Sequence, residues 1–499
     1  MTTLLHHLLD RAAAAHPDAP AISHSGSVHT YRDLDVASRR LAVWLTGRGV
    51  RRGDRVIVCL PTGPLVPALL YACSRAGAVF SVLNAQSPVA ALAHVLTDAA
   101  PALLVTDSPQ ATAAAAAHGV AATGTADLRR VVRDGPDDTP LPPPIAVDPA
   151  CLIYTSGSTG LPKAVVSTHA QMVFAAAAIA SQLAYRADDV VWCALPLSFD
   201  YGMYQIFLST IAGARLHLAS PADTGPTLPH HLLSSGATVL PAVPALARAL
   251  ARMLSRPGAT PPPLRLLTNT GAAMPPEIIR DLRARIPTLH VQLMFGLTEC
   301  KRAAIMPIDE DLRRPGACGR ALPGTEILIV DADGAAVPPD TVGEIVVRGP
   351  HVMAGYWRHP ELTAQRFPRV EGLFPQLRTG DHGWLDADGY LYFVGRRDDI
   401  YKERGTRVSV TEVEAAAHRI PQVQAAAVLP PRADAGEDSA TLFVVGELTA
   451  PEVLAALRAE LDEIKSPLTC LVVPEIPLTR NGKVDRAGLV RIRAEDSRV

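Results

Sequence analysis

Apolar and polar positions follow two rhythms along the first third of the chain. Tyr31 to Leu45 sets its apolar residues at helical spacing, and Leu65 to Ala76 does so again. Short unbroken apolar runs lie between and after them. Arg55-Val-Ile-Val-Cys-Leu60, entered from Gly53-Asp54, and Gly77-Ala-Val-Phe-Ser-Val-Leu83 both read as buried strands. Helices alternating with such strands predict an α/β fold on largely parallel sheets. The proline-rich stretches 134–144 and 256–263 read as surface connections. From Gly324 to Val347 the rhythm changes to hairpins, with turns at Asp333-Gly334 and Val342-Gly343. A further turn, Asp386-Ala-Asp-Gly389, precedes a strand from Tyr390 to Val394. After Asp399 the chain reads as a compact α+β segment of about 100 residues, enough for a separate small domain.

Composition narrows the class. Hydrophobic residues make up 48% and charged residues 19% of the 499, which excludes a largely disordered chain. The formal net charge is -2, with 47 basic against 49 acidic residues, and gives no electrostatic reason to expect nucleic-acid binding. The seven cysteines are scattered and never spaced Cys-x-x-Cys, which disfavours a disulfide framework or a zinc ribbon and fits a reducing compartment. The N-terminus has no basic segment followed by an apolar one, and no run of about 18 apolar residues occurs. The predicted setting is soluble and cytoplasmic, away from membranes. Only five of the 47 basic residues are lysine: Lys163, Lys301, Lys402, Lys465 and Lys483. In a background so biased toward arginine, a lysine is more often kept as a compact ammonium; the alternative is chance survival on a solvated face.

The strongest chemical feature is Ile153-Tyr-Thr-Ser-Gly-Ser-Thr-Gly-Leu-Pro-Lys163. A β-like run ends in a loop carrying Thr155, Ser156, Gly157, Ser158, Thr159 and Gly160, and closes on Lys163. Glycines let backbone N–H groups approach closely, and hydroxyls and an ammonium add donors, which together make a nest for phosphate oxygens. The Gly-Lys-Ser/Thr of a Walker A loop is missing.

This loop resembles the phosphate loop of the adenylate-forming superfamily, which holds acyl-CoA synthetases, firefly luciferase and nonribosomal peptide adenylation domains. Ala164 departs from the glycine usual there. Further motifs follow in the family's order. Asn269-Thr-Gly271-Ala272-Ala273 resembles the adenine-side loop, and Phe295-Gly296-Leu-Thr298-Glu299 resembles the Tyr-Gly-x-Thr-Glu element. The resemblance implies that Phe295 packs on adenine, Thr298 contacts the α-phosphate and Glu299 holds Mg²⁺. Arg378-Thr-Gly-Asp381 and Gly395-Arg396 resemble the ribose-binding pair, Asp381 and Arg396. Asp398 matches the family's hinge. Lys402-Glu-Arg-Gly405 matches the loop lining the thiol channel, and Lys483 stands in the catalytic-lysine motif Pro477-Leu-Thr-Arg-Asn-Gly-Lys-Val-Asp-Arg486.

The likeness runs over roughly residues 30–490. It implies a large N-terminal domain (1–397) of packed mixed sheets with helices plus a β-rich subdomain, and a small mobile C-terminal α+β domain (398–499). ATP and Mg²⁺ are the implied cofactors. A carboxylate and the α-phosphate repel one another, and a cation at Glu299 with the ammonium of Lys483 would neutralise that repulsion where charge develops.

Leu195-Pro-Leu-Ser-Phe-Asp200-Tyr201-Gly-Met-Tyr204 resembles the element that opens the acyl pocket. Peptide-synthesis adenylation domains have Phe-Asp there, and the aspartate binds the substrate ammonium. The alternative is that Asp200 caps the following helix, a position Asp favours. By the same likeness the pocket wall includes Tyr201, Tyr204, Thr268, Thr270, Met294, Arg302 and Ala303. Lys301 and Arg302 have three open readings: pairing with Asp200, meeting a substrate carboxylate, or facing solvent, the default for a charged pair.

The favoured expectation is ATP-dependent activation of a carboxylic acid, an amino acid by preference, as acyl-adenylate. The acyl group then passes to the phosphopantetheine thiol of a carrier protein supplied in trans, since no carrier domain follows Val499. The nearest alternative is an acyl- or aryl-CoA ligase acting on a non-amino acid. A catalytically silent nucleotide-binding module is the reading from another class.

Overall fold

A computed structural model of the chain describes residues 3–136, 139–155, 162–370, 375–396, 400–403, 406–431, 439–461, 465–479 and 484–496. Two large sheets organise the first 396 residues. The smaller has seven strands in the order Gly355–Tyr356, Lys163–Thr168, Pro149–Thr155, Val79–Val82, Arg55–Cys59, Leu103–Thr106 and Ala121–Thr123. Its pairing is parallel from Pro149–Thr155 to the far edge and antiparallel where Lys163–Thr168 joins.

The larger sheet has thirteen strands. A parallel run lies in the spatial order His290–Phe295, Leu266–Asn269, Val239–Ala242, Val190–Cys193, Arg215–Leu218 and Pro20–His24. Past His290–Phe295 the sheet continues antiparallel through Ala304–Ile305 and Ala317–Ala321 into the β-rich part.

The helices between the sheets explain the layering. Leu65–Ala76 is buried from Val66 to Ala76, and Asp200–Ala212 from Asp200 to Thr210. A helix that is apolar on every side must be covered on every side. One continuous core accordingly takes Val58, Phe80 and Ile153 from one sheet, and Val191, Leu216 and Leu266 from the other. Leu69, Tyr71, Met172, Ile206 and Phe207 of the helices fill the space between. Tyr31–Gly47 starts at a reciprocal cap of Thr30 and Asp33, as the polar-to-apolar step in the sequence requires.

Gly343 departs from its expected place in a turn. It begins the strand Gly343–Arg348, where a Cβ would collide with the Val330 carbonyl oxygen opposite. The glycine serves a close approach of strands.

The C-terminal part carries a hairpin, Ile400–Glu403 with Thr406–Ser409, and a three-stranded sheet of Val423–Leu429, Thr441–Gly446 and Thr469–Val472. Alternate strand residues face opposite sides. Val428, Leu442 and Val444 pack on Val413 and Ala417 of one helix and Val453 and Leu457 of another, while Leu429 and Phe443 meet Leu489 of Arg486–Asp496. No helix among the described residues is long and apolar enough to cross a membrane.

Candidate active site

Strand Val190–Cys193 has Arg215–Leu218 on one side and Val239–Ala242 on the other. The chain therefore reverses its progress across the sheet at that strand, and the crevice beyond the carboxyl ends at such a point is where open α/β sheets bind ligands. The helix bearing Asp200, Tyr201 and Tyr204 starts beyond this edge. Thr268 and Thr270 come from the end of Leu266–Asn269, and Met294 and Phe295 from the end of His290–Phe295.

Asp200 is the first residue of its helix, Phe199 holds the cap position, and no side-chain cap bond forms there. The capping alternative is not realised. Instead Asp200 Oδ2 pairs with Arg302 Nη1 at 3.2 Å, with both side chains buried. Its Oδ1 takes no hydrogen bond among the described residues. The Arg302 guanidinium lies over the Tyr201 ring (4.8 Å), and its Nη1 also donates to the Lys301 carbonyl (2.7 Å). Tyr201 is fixed in turn by donating to the Thr268 carbonyl (2.7 Å).

The solvent reading of Lys301 and Arg302 is overturned: they are 0% and 2% exposed. The cause is a tight return of the chain. Ala303 donates its amide to the Phe295 carbonyl (2.9 Å), folding the intervening loop back on itself, and a Cβ on Gly296 would collide with the Lys301 carbonyl. Lys301 sits at φ 63°, in the left-handed region. Its ammonium donates to the Thr298 carbonyl (3.0 Å) and lies 5.7 Å from the centre of the Tyr204 ring. Burial lowers its pKa, against the pull of Asp200. Arg302 Nε, the Tyr204 hydroxyl and Thr270 Oγ1 are buried with no partner among the described residues. Cys151 and Cys300 are also buried, which pushes both thiols up to about 12 and makes them poor nucleophiles. Met294 and Ala303 are packed as core.

On the nucleotide side, the strands Pro149–Thr155 and Lys163–Thr168 pair antiparallel, with Thr155 and Lys163 as register partners. Ser156, Gly157, Ser158, Thr159 and Gly160 lie outside the described residues, as do Asp398, Gly405 and Lys483. Lys402 pairs with Arg407 in the C-terminal hairpin. Gly271 takes φ +86°, and Ala272 and Ala273 follow it in the loop after Asn269, whose Nδ2 donates to the Ala242 carbonyl (3.0 Å). Phe295 packs 5.6 Å from Phe393, and Asp381, buried, is the register partner of Arg396.

Sequence reasoning missed Tyr356. Its hydroxyl donates to Glu299 Oε1 (2.7 Å), while the Lys163 ammonium sits over its ring, 4.2 Å from the centre. The one local signal is the Gly355-Tyr356-Trp357 run after the β-rich stretch. Glu299 Oε2 takes no hydrogen bond among the described residues, so this buried carboxylate keeps an oxygen suited to a hard cation.

A crevice at the switch point that gathers Asp200, Lys301 and Arg302, beside a buried carboxylate with a spare oxygen at Glu299, suits an enzyme that handles charged substrates. The chain belongs to the AMP-binding enzyme family, which it matches over residues 9–357, with the family's C-terminal domain at 412–483. It is an AMP-forming ligase that uses ATP with Mg²⁺. A protein of Salinispora arenicola (strain CNS-205), named "Probable non-canonical nonribosomal peptide synthetase (NRPS) CymA", is 35% identical over 97% of this chain. The chain spans only 6% of that protein's length. Feruloyl-CoA synthase of Amycolatopsis sp is 32% identical over 95% of this chain and 96% of its own. The solved structure of VinN with L-aspartate is 40% identical, covering 79% of this chain and 98% of that one, at a TM-score of 0.72.

Proposed function

We propose that the enzyme activates a small amino dicarboxylic acid of aspartate size and passes it to the phosphopantetheine thiol of a carrier protein. The observation that carries this is the buried charge count of the acid side: Lys301 and Arg302 against Asp200. Because Arg302 already neutralises Asp200, the aspartate alone does not demand a cationic substrate. Glu299 also attracts Lys301, but with that carboxylate given to Mg²⁺ on the nucleotide side one buried cation is left in surplus around Asp200, and an uncompensated buried charge is strongly unfavourable. A substrate carboxylate at Lys301 and Arg302 balances it, and its ammonium then takes the spare Oδ1 of Asp200. The orphan Arg302 Nε and Tyr204 hydroxyl add donors for the same carboxylate. The likeness to VinN, solved with L-aspartate, supports this substrate class.

The second carboxylate reacts. One of its oxygens attacks the α-phosphorus of ATP, the bond to the β-phosphate breaks, and pyrophosphate leaves. A thiol then attacks the acyl carbon and AMP leaves, giving the thioester. Mg²⁺ would screen the polyphosphate charge from Glu299. Thr298 and Lys483 are the residues proposed to meet the α-phosphate and the developing charge. The likeness to CymA supports a carrier protein as acceptor, and the likeness to feruloyl-CoA synthase favours CoA as the second reading.

ATP–pyrophosphate exchange over an acid panel tests the substrate class. Aspartate or a close homologue is expected to exceed alanine and succinate by at least about 100-fold, because each lacks a group the site is built to bind. Equal exchange with alanine, succinate or ferulate overturns it. Thioester formation with a holo carrier protein against free CoA decides the acceptor.

A further inference from the structure

We propose that Tyr356 is a positioning residue that sets the phosphate-loop lysine and the metal carboxylate in register before ATP arrives. The inference rests on the reading that Lys163 serves the phosphates and Glu299 the Mg²⁺. The geometry is a bridge with two ends. At one, the phenol donates to Glu299 Oε1 (2.7 Å); at the other, the Lys163 ammonium lies on the ring face at 4.2 Å.

Both ends are held by the same short segment. The Met353 amide donates to the Glu299 carbonyl (2.9 Å), so the segment grips the backbone as well as the side chain of Glu299. Tyr356 pairs with Val165, two residues beyond Lys163 on the neighbouring strand. Its amide donates to Thr363 Oγ1 (2.9 Å), and its ring meets Phe367 edge-on at 5.5 Å. Gly355 takes φ +131°, and a Cβ there would collide with the Thr363 side chain, so the glycine lets the helix Pro360–Arg366 brace the tyrosine.

The chemistry follows from the two contacts. A carboxylate free to rotate presents its oxygens in many directions. Tying Oε1 leaves Oε2 with a fixed aim, and preorganised charge needs no reorganisation when ligand arrives. Lysine and cation act on the same polyphosphate, and one side chain spans them.

The test is binding, without any acid present. A non-hydrolysable ATP analogue is titrated by calorimetry into wild type, Tyr356→Phe, Glu299→Gln and the double variant, with Mg²⁺ and with EDTA; melting curves confirm folding. Tyr356→Phe is expected to raise the half-saturating Mg²⁺ concentration about tenfold, as for a lost hydrogen bond to a charged group, and to leave the EDTA affinity unchanged. In the Glu299→Gln background the same change should add nothing. Tyr356→Leu, which also removes the ring under Lys163, should weaken the EDTA affinity about threefold. A Mg²⁺ shift below twofold in Tyr356→Phe, or an equal loss with EDTA, overturns the bridge. A Glu299→Gln variant that keeps wild-type Mg²⁺ dependence overturns instead the metal role of Glu299.

Discussion

Arg75 and Arg302 are both buried guanidinium groups, yet their surroundings differ in kind. Arg75, on the helix Leu65–Ala76, donates from Nε to Ser38 Oγ (2.9 Å) and from Nη2 to Asp10 and Asp35 (2.6 Å each). One cation meets two carboxylates and a hydroxyl, and it ties three helices together. Arg302 has one carboxylate at 3.2 Å, an Nε with no partner among the described residues and a second buried cation, Lys301, beside it. A saturated cluster has spent its charge on the fold. An unsaturated one keeps charge in reserve for something that comes and goes, and this separates a structural arginine from a binding one when burial is the same.

Three substitutions press on that contrast. Arg75→Met should have the largest effect, lowering stability in urea by about 3 kcal/mol, because Ser38 and two half-buried carboxylates lose a charged hydrogen-bond partner and only the more exposed Arg39 stays beside Asp10 and Asp35. Its kcat/KM per folded molecule should stay at the wild-type level; a normal stability with lost activity would invert the comparison. Arg302→Met should lower kcat/KM for the proposed dicarboxylic amino acid by about 100-fold, roughly 2.7 kcal/mol, and erase the expected preference over alanine in the exchange assay. Its stability loss should be smaller than that of Arg75→Met, since Lys301 remains near Asp200.

The smallest effect is a pH dependence at Lys301. Its folded pKa lies below the ordinary value of 10.5 because burial opposes the charge. Below the folded value both states carry the proton and the burial penalty is complete. As pH rises through the folded value toward 10.5, the unfolded chain binds more protons than the folded one, so the penalty is relieved and stability rises. Wild-type stability measured against Lys301→Met should therefore climb across that window in the ligand-free enzyme. A flat difference would mean that the ammonium carries no burial penalty.

Local pattern revealed what local pattern determines. The helices Tyr31–Gly47 and Leu65–Ala76 and the strand Arg55–Cys59 follow from spacing alone, whereas the Phe295–Glu299 run takes its expected roles only from its resemblance to a family motif. The turn expected at Val342-Gly343 fails because that glycine answers a strand from elsewhere in the chain. Lys301 and Arg302 look like solvated charges until the chain folds back over Gly296 and covers them. Tyr356 gains meaning only from Lys163 and Glu299, which reach it from distant parts of the sequence.

The fold-back over Gly296 binds two chemistries into one object. Thr298 and Glu299, proposed for the nucleotide, and Lys301 and Arg302, proposed for the acid, share a single loop between Phe295 and Ala304, closed by a glycine that tolerates no side chain. Anyone retooling this enzyme for a new acid by editing positions 301 and 302 is also nudging the nucleotide half of the machine. The practical graft is the whole 294–304 hairpin, exchanged as one cassette.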